Sequence, residues 1–279
     1  MFSMGGGQRR SFGGARLLVG LAFAVFAFIS YMGKAQVNPV TGEKQHIAIT
    51  QDQEIALGLQ SAPEMMQQFG GPSQDAEATA LVQRVGEKIV ANSEAGKSGY
   101  EYHFVLLGDQ NTINAFALPG GPVFITEALL ARLKTEGQLA GVLGHEISHV
   151  VLRHSAEHIA QQELTQGLTG ALILSTYDPN DPNSGRTAQM ALLVANLINM
   201  KYGRSDELEA DKFGVKYMGQ AGYDPNAMLG VMEVLAASRQ GGEPPEFFST
   251  HPSPENRSDR IADAIREFFP DGPPAGAIP

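Results

Sequence analysis

Cysteine is missing from all 279 residues of this chain. Its absence excludes a thiol nucleophile and disulfide staples, but it leaves the compartment open, since an exported protein can fold without disulfides. A basic excess is missing as well: 20 Lys and Arg face 30 Asp and Glu, for a formal charge of −10 and a pI near 5.2. With no basic surplus, nucleic acid is not the expected partner. No internal repeat is evident. Beyond the N-terminus, apolar runs long enough to span a bilayer are also lacking. Leu168 to Ser175 is too short, and Ala188 to Met200, 13 residues interrupted by Gln189, Asn196 and Asn199, falls in the range of core or interfacial helices. The hydrophobic content of 43% still suffices for one sizeable core, and the length permits one or two domains.

Histidine is scarce, at seven residues, yet two of them stand four apart in His145-Glu146-Ile147-Ser148-His149, behind the apolar run Leu139 to Gly144. On a helix, residues four apart share one face about 6 Å apart along the axis, so both imidazoles can converge on one metal ion. Glu146 can then reach a water on that metal. This is the chemistry of a metal-dependent hydrolase, in which zinc lowers the water's pKa from about 16 to near 7 and a carboxylate takes the proton. The apolar lead-in argues for a buried helix, where two unpaired imidazoles would be costly. After His149 the chain lacks the glycine at 152 and the histidine at 155 that a metzincin needs, so that class is excluded. Further on, Glu207 and Asp211 are again four apart on an expected helix, so that Glu207 can face the metal. Asp211 can accept the outer N–H of a ligating histidine, fixing its tautomer. Glu209 points to another face and is the weaker candidate.

Five separated signatures resemble the gluzincin metallopeptidase family of the CAAX prenyl protease, HtpX and BepA-like enzymes, metallopeptidase family forty-eight, in its exported single-anchor form. They are Asn114 to Gly121, Leu143 to His149 followed by Arg153-His154, Arg204 to Asp211, Ser249 to Arg257, and a weaker one at Gln53 to Gly58. The resemblance implies one zinc per chain on His145, His149 and Glu207, Glu146 as general base and Asp211 as the partner behind the ligands. It implies that His251 approaches the metal as a gate or fourth ligand; a purely structural or substrate-contact histidine is the alternative. It also assigns Asn114, Ala115, Phe116 and Ala117 to an edge strand that holds a peptide by main-chain hydrogen bonds; an ordinary covered hairpin is the alternative. Gly203 replaces the family's usual serine and Gln138 an acidic residue common there, neither at a ligand. His154 follows the family pattern with no ligand role, and His46, His103 and His158 read as structural or surface groups.

Arg9, Arg10 and Arg16 precede the apolar run Leu17 to Gly33. As a helix that run covers about 26 Å, close to a bilayer core of about 30 Å. The positive-inside bias puts the N-terminus in the cytoplasm and the rest outside. Either an uncleaved anchor or a signal peptide cut after Ala35 is compatible, and both export the domain. The expected organisation is an N-terminal anchor or signal segment (1–35), a linker (36–50), a metallopeptidase domain (51–269) and a disordered Pro/Gly-rich tail (270–279). Within the domain we expect helices from near Gln51 and over Ala78 to Ala91, strands over Tyr100 to Leu107, Ile113 to Leu118 and Pro122 to Thr126, a helix over Thr126 to Leu133, and a metal helix over Glu136 to His158. Leu168 to Ser175 and Ala188 to Met200 are expected as a helical hairpin over the active cleft.

The fold class expected is α+β, predominantly helical and zincin-like, with a small sheet beside the metal helix. The function expected is a zinc-dependent endopeptidase of cell-envelope protein quality control that cleaves unfolded or misassembled proteins. The alternative is a zinc-stabilised, self-gated chaperone or assembly factor.

Overall fold

The structure, a computed structural model, describes residues 12–176, 202–238, 245–252 and 256–279. In chain order its elements are α1 (Phe12–Met32), β1 (Ala35–Val37), β2 (Lys44–His46), α2 (Gln51–Gln68) and α3 (Ala76–Asn92), then a 3-10 turn at Glu94–Ser98. There follow β3 (His103–Leu107), β4 (Ala115–Ala117), β5 (Pro122–Thr126), α4 (Glu127–Leu130), α5 (Glu136–Val151) and α6 (His154–Thr176). The chain closes with α7 (Arg204–Gln220), α8 (Ala227–Ser238), α9 (Phe247–Thr250) and α10 (Arg257–Phe268). Side-chain oxygens at Thr50, Asp75, Thr126 and Thr135 accept from backbone N–H groups in the first turns of α2, α3, α4 and α5, which fixes where each helix begins.

Helix α5 is the centre. Every residue from Gly137 to Val151 is buried, the polar Gln138, His145, Glu146, Ser148 and His149 included. The sheet has the order β3-β5-β4, with β3 and β5 parallel and β4 antiparallel to β5. Its side chains alternate between faces. Phe104, Leu106, Ala115, Ala117, Val123 and Ile125 join the core of α3 and α5, while Leu107, Phe116, Leu118 and Phe124 meet Met65 and Phe69 of the α2 segment. On the other side α5 crosses α7 where Gly144 lies against Gly214: a Cβ on Gly214 would stand 3.0 Å from the His145 backbone nitrogen. Two helices can approach that closely only where both lack side chains. The approach carries residues 207 and 211 of α7 to His145.

Four expectations need correction. The metal helix does not run to His158: it ends at Val151, Arg153 adopts a left-handed φ of 58°, and α6 starts afresh at His154. The cause is tertiary, because the Arg153 guanidinium is held by Glu54 of α2 (Nε to Oε2, 2.9 Å) and by the Ile49 carbonyl at 3.1 Å. Residues 36–50 are not a free linker, since β1 and β2 form a ribbon pinned by Asn38, whose amide donates to the Val151 carbonyl at 2.7 Å. The tail is not disordered: Ile278 pairs beside Tyr223, its carbonyl accepts from Asp224 N at 2.8 Å, and the Pro279 carbonyl accepts from Gly137 N at the start of α5. Positive φ at Gly272 and Gly276 gives it the turns to do so. Leu168 to Ser175 is no separate hairpin arm but the end of α6, which packs along α1. Its expected partner, Ala188 to Met200, lies outside the described residues, as do Arg9, Arg10, the segment Tyr177 to Arg186, and Ser253, Pro254 and Glu255 of the fourth signature.

Candidate metal centre

His145 and His149 project from one face of α5, with their Nε2 atoms 3.1 Å apart. Glu207, on the first turn of α7, brings Oε2 to 3.5 Å from His145 Nε2 and Oε1 to 3.5 Å from His149 Nε2. His251, just past α9, directs Nδ1 to Glu207 Oε1 at 3.0 Å and to His145 Nε2 at 3.3 Å. All four side chains are buried, and their ligand atoms lie within 4.8 Å of one another. Nitrogen and oxygen ligands at about 2.0–2.1 Å from a tetrahedral ion stand about 3.3 Å from each other. The spacing therefore suits one zinc ion. Three further observations point the same way: Glu207 Oε2, His251 Nε2 and both carboxylate oxygens of Glu146 are buried with no hydrogen-bond partner among the described residues. Buried polar atoms left so are rare and call for a ligand.

Around this cluster the charges are arranged with care. His145 Nδ1 lies 2.9 Å from Asp211 Oδ1, as the spacing of Glu207 and Asp211 suggested. Burial would raise the Asp211 pKa, but Arg257 and His145 outweigh it and hold the carboxyl well below the usual range. Burial raises Glu146, with nearby His251 and His145 only partly opposing it, so its carboxylate is basic for a glutamate. Burial, reinforced by the neighbouring imidazoles, pushes His149 well down and keeps it neutral, the form a ligand needs.

Sequence reasoning missed two residues here. Arg257 is 4% exposed; it donates from Nε to Asp211 Oδ2 at 2.6 Å and lies 3.4 Å from Glu207. It stands in the fourth signature, which was the available signal. Tyr202 stacks on His149 at 3.9 Å between ring centres, its hydroxyl 3.1 Å from Ser155 Oγ. Nothing in its neighbours marked it out. His154 lies 2.8 Å from His149, Nδ1 to Nδ1. Glu209 does face away from the cluster as expected, toward His154 Nε2 at 3.3 Å. His158 pairs with Asp206 at 2.7 Å, and His46 stacks on Tyr31, both away from the four-residue cluster.

Strand β4 is an edge strand. The bonds Thr126 N to Asn114 O and Leu118 N to Pro122 O put its ladder to β5 on even-numbered residues, so the main-chain groups of Ala115 and Ala117 point away from β5. Beside that edge runs the α9 segment, where Phe247 N donates to the Ile113 carbonyl at 3.1 Å. A cleft between them is lined by Asn114, Phe116, Ala117, Tyr202 and His251.

A family model described as Peptidase family M48 matches residues 76–265. The chain belongs to that family. It is a zinc metallopeptidase by family, with an α+β, mainly helical fold, and its four converging residues could hold one ion. It is 32% identical over 225 residues to the beta-barrel assembly-enhancing protease of Yersinia pestis, covering 78% of this chain and 45% of that one. It is 34% identical over 197 residues to the Escherichia coli protein of the same name, covering 67% and 38%. It is 33% identical over 243 residues to the mitochondrial metalloendopeptidase OMA1 of Schizosaccharomyces pombe, covering 86% and 69%. The chain thus spans less than half the length of the two bacterial relatives.

Proposed function

We propose that this M48 chain is an endopeptidase of cell-envelope quality control that cleaves unfolded or misassembled proteins, with zinc on His145, His149 and Glu207 and Glu146 as general base. The observation that carries it is the pairing of four converging ligand atoms with a buried glutamate that has no hydrogen-bond partner among the described residues. Zinc, when bound, supplies a Lewis acid and lowers the pKa of water beside it to near 7. Glu146 takes the proton of the attacking water and returns it to the leaving amine, which its raised basicity favours. Asp211 keeps His145 in the tautomer that presents Nε2. The two bacterial relatives are named for enhancing beta-barrel assembly, which supports a substrate that arises in protein assembly. Degradation of casein by the full chain, stopped by a zinc chelator and restored by zinc, tests the reading; no cleavage with one zinc bound per chain moves it to the chaperone or assembly-factor alternative, which the enclosed His251 favours.

The edge of β4 is proposed to bind the substrate. Proline at Ala117 leaves the β4–β5 ladder intact, because that residue's N–H faces outward, but removes a donor from the edge. We expect Ala117→Pro to raise KM several-fold with zinc content unchanged; an unchanged KM removes the edge strand from the account. His251 is proposed as a gate that closes the site by lying against Glu207 and 3.6 Å from Glu146. His251→Ala is then expected to speed casein cleavage, and equal rates dispose of the gate.

We propose a localisation from α1. Its described side chains expose Leu18, Leu21, Phe23, Phe26, Phe28 and Ile29, a surface that suits lipid. Among the described residues no helix is long and apolar enough to cross a membrane. We take α1 together with the basic residues before it as the anchor, with the catalytic domain on the periplasmic or extracytoplasmic side; a secreted form after signal cleavage is the other outcome of a fractionation experiment.

A further inference from the structure

His154 does not join the metal cluster, yet it is 1% exposed and set directly behind one of its members. Its Nδ1 lies 2.8 Å from His149 Nδ1. Two ring nitrogens face one another at that distance only if one carries a proton and the other does not. His149 keeps Nε2 toward the cluster, and as a zinc ligand through that nitrogen it would carry its proton on Nδ1. His154 Nδ1 is therefore the acceptor. The proton of His154 then sits on Nε2, which lies 3.3 Å from Glu209 Oε2 and can donate to it. With His149 Nε2 given to the ion, the direction of the whole chain follows: Glu209 accepts from His154, and His154 accepts from His149.

The backbone is shaped for this contact. Had α5 continued, residue 154 would stand about 140° around the helix from residue 149, on a different face. The left-handed turn at Arg153, φ 58°, interrupts the helix and brings the His154 ring back to 4.9 Å from that of His149. A non-glycine residue in that region is strained and persists only where its surroundings enforce it. Here Glu54 enforces it, buried at 2% exposure, 2.7 Å from the Arg153 guanidinium and accepting also from the Tyr100 hydroxyl.

We propose that His154 is a positioning residue: it relays a hydrogen bond from Glu209 to His149, so that the second histidine of the pentapeptide is oriented through an imidazole where the first is oriented by the carboxylate of Asp211. The relay holds the His149 ring without placing a full negative charge beside it. It rests on His149 being a zinc ligand.

The test is zinc affinity of the full chain, measured by chelator competition, with the urea midpoint of the zinc-free protein as the measure of fold. His154→Leu removes the acceptor, and a loss of about 10- to 100-fold in affinity is expected, the usual cost of deleting an outer partner of a metal-bound histidine. His154→Gln offers a side-chain carbonyl and is expected to recover most of that loss. Glu209→Leu, at the partly exposed outer end, spares the core and is expected to weaken zinc several-fold. Undiminished affinity in His154→Leu and Glu209→Leu overturns the relay. So does an equal loss in the Leu and Gln variants of His154 that tracks the zinc-free midpoint, since that is the mark of packing alone. A wild-type chain that binds no zinc overturns the ligand assignment itself, a separate result.

Discussion

Glu146→Gln is expected to retain zinc at one per chain and to cut the kcat for casein by about 10²- to 10⁴-fold, the range a positioned general base contributes. The substitution is nearly isosteric, so it opens no cavity in a site where residue 146 is 0% exposed. It replaces none of the four residues of the cluster. What it removes is the capacity to accept a proton, because an amide oxygen is far less basic than a carboxylate that burial has already raised. The amide also relieves a cost, since a buried carboxylate with no hydrogen-bond partner among the described residues is replaced by a neutral group. We therefore expect the variant to be no less stable than the wild type in chelator, and somewhat more so. A variant that keeps full activity with zinc bound dismisses Glu146 as the base. A variant that loses zinc instead indicates that the carboxylate helps hold the ion, and its inactivity then says nothing of proton transfer.

How far the sequence could foresee this site depends on whether a residue acts through its own helix or through a distant one. His145 and His149, and Glu207 and Asp211, are each separated by one helical turn, so their shared faces were legible, as was the start of α5 at Glu136. The end of α5 was not. No glycine or proline interrupts residues 152 to 158, and the break at Arg153 is imposed by Glu54, 99 residues earlier in the chain. That same contact gives physical meaning to the weakest of the five signatures: Glu54 holds Arg153, and a Cβ on Gly58 would stand 1.9 Å from the Pro119 carbonyl, so α2 can seat the Pro119-Gly120-Gly121 turn only with glycine there. Composition misled at the tail, where proline and glycine suggested disorder; two glycine turns instead return Ile278 to Gly222 and Asp224. His251 could be placed near the metal only through the resemblance, because nothing local in a His-Pro loop says that it closes on Glu207.

Arg257 is the residue whose loss should cost the fold most. It is a single cation set against two buried carboxylates, 2.6 Å and 2.8 Å from the Asp211 oxygens and 3.4 Å from Glu207. Removing one partner of a buried ion pair strands the other, at about 3–5 kcal/mol. Arg257→Leu is therefore expected to destabilise the zinc-free protein by about 3–5 kcal/mol, read from urea unfolding in chelator. Zinc changes the size of the effect in a defined direction. A bound dication supplies positive charge to Glu207, so the zinc-loaded variant should lose less stability than the chelated one, and the difference between the two reports how far ion and arginine share one task. Arg257→Lys should fall between, because an ammonium keeps the charge but cannot engage both Asp211 oxygens as a planar fork does. Asp211→Asn in the Arg257→Leu background removes the stranded charge, and part of the stability should return. If Arg257→Leu unfolds with the wild-type midpoint in chelator, the buried cation is not what neutralises Asp211, and the depressed pKa of that carboxyl needs another cause.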